Sequence, residues 1–98
     1  MAGPHRATAP DAIGQLEDLQ KLWLLYNQLS QLPEAIGELP SLKELRLNNN
    51  ILTSLPETIA NLKSLQVLDL RSNRFTFLST PIKQWIKDLE KRGCTVLK

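Results

Sequence analysis

One histidine, His5, and one cysteine, Cys94, are the only side chains of their types in the 98 residues, so little catalytic chemistry can be assembled from them. A general base or a nucleophile must be held at a defined distance from its partner. His5 lies in M-A-G-P-H-R-A-T-A, a small, polar, aperiodic stretch predicted to be a mobile tail over residues 1–9, where nothing fixes its geometry. Lys91 and Arg92 stand close to Cys94 in sequence, a setting that can lower a thiol pKa. Without an ordered histidine a Cys–His pair is not formed, and a buried structural thiol is the competing reading. No Cys, His and carboxylate cluster has metal-ligand spacing. Gly14, Gly37 and Gly93 are isolated, so no phosphate-cradling loop is present. The carboxylates Asp11, Glu34, Glu38 and Glu57 fall at first-turn positions that suit a helix dipole. The residues therefore imply no enzyme, no cofactor and no metal.

The elements that would position any functional group follow from Leu42–Ile59, L-K-E-L-R-L-N-N-N-I-L-T-S-L-P-E-T-I. Leu45, Arg46 and Leu47 alternate with the period of a strand that buries one face. Asn48, Asn49 and Asn50 stop it, since Asn competes for backbone hydrogen bonds and tolerates turn conformations. Leu52 and Leu55 follow on a return segment, and Pro56-Glu57 opens a short helical turn. Such a coil is too small to bury its own leucines and must stack on copies of itself. A 23-residue shift lays Leu19, Leu22, Leu24, Asn27, Leu29, Leu32, Pro33, Ile36 and Leu39 over Leu42, Leu45, Leu47, Asn50, Leu52, Leu55, Pro56, Ile59 and Leu62. A further shift gives Leu65, Leu68, Leu70, Asn73, Phe75 and Leu78. Self-similarity at one fixed spacing outranks any local propensity.

These positions match L-x-x-L-x-L-x-x-N-x-L-x-x-L-P-x-x-I-x-x-L-x-x, and over residues 10–80 the chain resembles the leucine-rich repeat proteins. The resemblance implies an α/β fold: a right-handed leucine-rich-repeat solenoid with a short parallel sheet on the concave face and helical caps. The expected organisation is a tail at 1–9, an N-terminal half-repeat cap at 10–18, repeats at 19–80 and a C-terminal helical cap at 81–98. The half-repeat rests on Pro10–Leu16 matching Pro33–Leu39; truncation of a longer solenoid at this point is the alternative. Extracellular members of the family usually close their ends with disulfide-bonded caps. A lone Cys94 makes none within the chain, which favours a reducing compartment. The L-P-x-x-I-x-x-L return is similar to that of intracellular members and of repeats in bacterial effectors that act inside a host cell. A cytoplasmic location is therefore expected, or, for an effector, the host cytoplasm.

Strands are expected at Lys21–Leu25, Glu44–Asn48 and Val67–Arg71, with Asn27, Asn50 and Asn73 stacked at the corner to satisfy backbone groups. Beyond Leu78, Ser79 or Thr80 is placed to cap a helix whose first position is Pro81. Ile82, Trp85, Ile86 and Leu89 form an apolar stripe on that helix, which points Trp85 into the core rather than toward a partner. Gly93 suits a left-handed stop, and Cys94–Leu97 can add a last edge strand.

The 23-residue offset also places the residues between the core leucines in columns on one face. Lys21, Glu44 and Val67 form the first; Trp23, Arg46 and Asp69 the next; Leu25, Asn48 and Arg71 follow; Tyr26, Asn49 and Ser72 lie at the rim. Arg46 beside Asp69 is expected to be an intramolecular ion pair. Trp23, Leu25 and Tyr26 put aromatic and apolar groups where the other repeats are polar, and aromatic residues and Arg dominate binding hot spots. These twelve residues are the candidate protein-binding site. Cover by the N-terminal tail or an upstream repeat is the competing account of the apolar cluster.

A formal charge of +2 is too small to argue for nucleic acid or an anionic membrane. No apolar run approaches the ~20 residues of a membrane span. The function expected is a non-catalytic module that recognises, and regulates, another protein, with no small-molecule substrate. The alternatives are a fragment of an effector enzyme such as a repeat-bearing ubiquitin ligase, and a unit that self-associates through the Trp23 face; homo-oligomerisation is the less favoured partner mode. Three strands about 4.8 Å apart make a narrow sheet, so a partner is expected to touch flanking loops as well.

Overall fold

The computed structural model describes residues 18–98. The tail at 1–9 and all but the last residue of the half-repeat at 10–18 lie outside the described residues. Three repeats each begin with a short strand: β1, Lys21–Trp23; β2, Glu44–Arg46; and β3, Val67–Asp69. The returns after β1 and β2 carry one 3₁₀ turn each, Glu34–Glu38 and Glu57–Asn61. Helix α1, Thr80–Lys91, and strand β4, Thr95–Leu97, complete the chain. The four strands form one parallel sheet in sequence order. Lys21 pairs with Glu44, Glu44 with Val67 and Val67 with Thr95, so the repeats stack in register with no slip.

Register follows from the period. Leu45 and Leu68, the central residues of β2 and β3, are wholly buried, as are Leu47, Leu52, Ile36 and Ile59. Slipping a strand by one residue would turn these leucines to solvent. The strands are three residues long rather than the five expected, and three residues beyond the end of each the chain bends sharply. Tyr26, Asn49 and Ser72 all have positive φ, between 58° and 65°. The ladder nonetheless continues through the bend: the Tyr26 N–H donates to the Asn48 carbonyl at 3.1 Å, and the Asn49 N–H to that of Arg71 at 3.0 Å.

The corner asparagines tie each repeat to the one before. Asn50 Oδ1 accepts from the N–H groups of Asn27 and Leu29, while its amide donates to the carbonyls of Leu24 and Leu47. Asn73 repeats the pattern toward Leu52, Leu47, Leu70 and Arg71. Asn27 departs from the expected column. It is exposed, and among the described residues its amide donates only within its own repeat, to Leu25.

The returns pack closely enough to require a glycine. A Cβ on Gly37 would overlap the Thr58 carbonyl oxygen and lie 2.8 Å from its carbon. Thr58 Oγ1 also donates to the Glu34 carbonyl at 2.6 Å, joining the two 3₁₀ turns.

Helix α1 begins one residue earlier than expected, with Thr80 first and Pro81 second; Ser79 Oγ accepts from the Ile82 N–H. The stripe Ile82, Trp85, Ile86 and Leu89 joins the core of the repeats. Trp85 Nε1 donates to the Leu62 carbonyl at 2.8 Å, so the one polar atom of this buried indole is satisfied. Gly93, at φ 93°, turns the chain back so that β4 pairs with β3.

Candidate interaction face

The sheet residues that do not enter the core occupy the expected columns, extended by β4. Cα partners run Lys21–Glu44–Val67–Thr95 and Trp23–Arg46–Asp69–Leu97. Leu25, Asn48 and Arg71 lie one step further along, with Tyr26, Asn49 and Ser72 at the bend. The twelve residues therefore come together, although not equally on the surface. Trp23 is 54% and Tyr26 69% exposed, whereas Asp69 is 1% exposed and Asn48 is buried. Lys21, Arg71 and Ser72 are exposed; Leu25, Glu44, Arg46, Asn49 and Val67 are half-buried. Thr95 and Leu97 were not among the expected face residues. Their signal in the sequence was the β-branched Thr95-Val96 after Gly93, which marked a strand without fixing its register.

The charges pair along strands rather than across them, which corrects the expected Arg46–Asp69 ion pair. Arg71 grips Asp69 with both branches of its guanidinium, Nε to Oδ1 at 3.0 Å and Nη2 to Oδ2 at 2.8 Å. Its backbone N–H adds a third bond to Oδ1 at 3.2 Å. Residues two apart on a strand share a face, and a planar guanidinium matches a carboxylate, so Asp69 is saturated by its neighbour. The side-chain hydrogen bonds from Arg71 hold the Asp69 carboxyl below its ordinary pKa, against the opposing effect of burial; Arg46 adds only the smallest of the lowering contributions.

Arg46 turns instead toward the first two strands. Its guanidinium carbon lies 5.3 Å from the centre of the Trp23 ring, within cation–π range. Its Nε lies 3.4 Å from Glu44 Oε1, the same oxygen that accepts from Trp23 Nε1 at 3.2 Å. Glu44 thus fixes both the indole and the guanidinium stacked on it. The result is a preorganised aromatic–cation cluster at one end of the sheet, with Tyr26 at the adjacent bend.

Burial pushes the Cys94 thiol up, and the charge of Glu90 adds to the shift. Lys91 and Arg92, close in sequence, are not among the causes of the shift. Lys91 is exposed and Arg92 donates through Nη1 to the Lys63 carbonyl, while Cys94 sits in the core and donates weakly to the Thr95 carbonyl. Among the described residues no group of three His, Cys, Asp or Glu side chains is arranged to hold a metal ion. Nor is any helix among them long and apolar enough to cross a membrane.

A family model described as leucine-rich repeats in two copies matches residues 40–91, and the chain belongs to the leucine-rich repeat family. Among solved structures, a leucine-rich repeat protein of Leptospira interrogans is similar, with 41% identity and a TM-score of 0.74 over 92% of this chain. The present chain spans 22% of that protein's length. None of the curated proteins matches it. Repeats of this family generally mediate protein–protein interaction, as non-catalytic binding modules.

Proposed function

We propose that the repeats form a right-handed solenoid whose sheet is the concave face, with α1 as its C-terminal cap, and that this face binds another protein. The observation that carries the reading is the cluster of Trp23, Glu44 and Arg46 beside Tyr26. A large exposed indole, fixed by a hydrogen bond and stacked under a guanidinium, loses little conformational freedom on association. Nothing in the fold requires Trp23 or Tyr26 to be aromatic, since both are more than half exposed. Four strands about 4.8 Å apart still give a narrow sheet, and the loops after the strands complete the contact area. The single buried Cys94 accords with a reducing compartment such as the cytoplasm.

The test is affinity capture with the wild-type chain and with Trp23→Ala, followed by titration of the captured protein. Trp23→Ala and Arg46→Ala should each weaken binding by about 2 kcal/mol. Unchanged affinity in both variants would dispose of the face as the binding site.

A further inference from the structure

We propose that the partner meets this face with an acidic segment, an extended stretch carrying carboxylates at alternate positions; the inference rests on the binding role argued above. Both carboxylates of the face already hold partners on the chain itself, Asp69 through both oxygens and Glu44 through one. Asp69 is buried and holds Arg71 with both oxygens. Glu44 Oε1 accepts from Trp23 and Arg46 together. The cations, by contrast, keep donors in reserve. Arg46 bonds through Nε alone, which leaves both terminal nitrogens uncommitted among the described residues. Arg71 uses Nε and Nη2, keeps Nη1, and has a side chain 54% exposed. Lys21 is exposed on the same face. Three cations stand against two carboxylates, of which Asp69 is buried and bonded through both oxygens and Glu44 is half-buried and bonded through Oε1, so the face carries an excess of charged donors. Complementary charge selects a partner with the opposite pattern.

The spacing narrows the partner further. Arg46 lies opposite Asp69, and Arg71 is two residues beyond it. A strand separation of about 4.8 Å and a two-residue rise of about 6.6 Å put the Cα atoms of the two arginines about 8 Å apart. An extended chain presents side chains on one face every ~6.6 Å, close enough for long guanidinium arms to span the difference. An apolar side chain next to such a pair would lie over Trp23 and Tyr26. A nucleic-acid backbone fits less well, because phosphate binding commonly rests on about 6–10 cationic contacts along a track.

The experiment selects random peptides of about a dozen residues displayed on phage against the full chain, and counter-selects with Trp23→Ala. Binders that need Trp23 should be enriched in Asp and Glu at alternate positions. Their affinity should fall by about tenfold in Arg46→Gln, and Lys21→Gln should weaken them less. Replacing the peptide carboxylates by amides should abolish the sensitivity to both variants. Circular dichroism of each variant confirms the fold, and Arg71 is left intact because it holds Asp69. Trp23-dependent binders that are neutral or basic would overturn this inference and leave the protein-binding role standing. No Trp23-dependent binder at all would overturn both. Light scattering that shows concentration-dependent mass lost in Trp23→Ala would assign the face to a second copy instead. Equal affinity for a single-stranded oligonucleotide would assign it to phosphate.

Discussion

Asp69 is the residue at which charge and burial meet most sharply. Its folded-state pKa is lowered, chiefly by the Arg71 hydrogen bonds, so ionised Asp69 stabilises the fold above the ordinary carboxylate range of about 4 and loses that contribution as pH falls through its lowered value. Arg71→Gln removes the main cause while burial remains, opposed only by the residue-71 backbone N–H and the more distant Arg46. The variant should melt below wild type at neutral pH, and the gap should close as pH drops below about 4. Thermal unfolding at several pH values checks this, and a gap that persists in acid would contradict it. Tyr26 predicts the opposite sign. A bulky residue at φ 59° is strained, and asparagine tolerates that region far better. Tyr26→Asn should stabilise the chain by about 1 kcal/mol in urea titrations while weakening partner binding. The same scale shows what the sequence conceals. Columns of face residues were legible from the repeat, but Asp69 pairing with Arg71 rather than Arg46 depended on side-chain direction and burial. Those are set by the stack and not by spacing.

At the scale of the repeat, identical letters carry unequal weight. Asn27 and Asn50 occupy the same position, and the sequence treats them alike. Asn50 satisfies four backbone groups across two repeats, while Asn27, among the described residues, satisfies one in its own. Removing the partner of buried backbone groups leaves them unsatisfied at about 1–3 kcal/mol. Asn50→Ala should therefore cost about 3 kcal/mol, and Asn27→Ala no more than about 0.5 kcal/mol. Equal losses in chemical denaturation would refute the corner-ladder account. Gly37 makes the complementary point for the returns. Its counterparts at the 23-residue offset are Gly14 on one side and Ala60 on the other, so the sequence pattern alone does not mark it as obligatory. Only the approach of the Thr58 carbonyl does so. Gly37→Ala should destabilise by about 1–3 kcal/mol through forced separation of the two 3₁₀ turns.

Across the described residues the stack is unequal from its first repeat to its last. Leu45, Leu47 and Leu68 are fully buried between neighbours, and α1 lays Trp85 and Leu89 over the last repeat. Leu19, Leu22 and Leu24 are only partly buried, although the repeat pattern assigns them the same core positions as Leu42, Leu45 and Leu47. In a linear array each repeat contacts only its neighbours, so local stability follows the number of neighbours that cover it. Opening free energies should accordingly fall toward β1. Amide hydrogen exchange reads this directly through ladder donors at equivalent positions. The Leu47 N–H, bonded to Asp69, should be protected longest, and the Leu24 N–H, bonded to Arg46, should exchange much sooner. The two bonds have the same length of 2.8 Å, so the difference can arise only from what surrounds them. The face that carries Trp23 and Tyr26 would then lie on the more labile repeat. A partner that grips those residues should slow exchange at Leu24 more than at Leu47, coupling binding to the order of the first repeat. Equal protection of the two amides without partner would show that the chain opens as one unit and would remove that coupling.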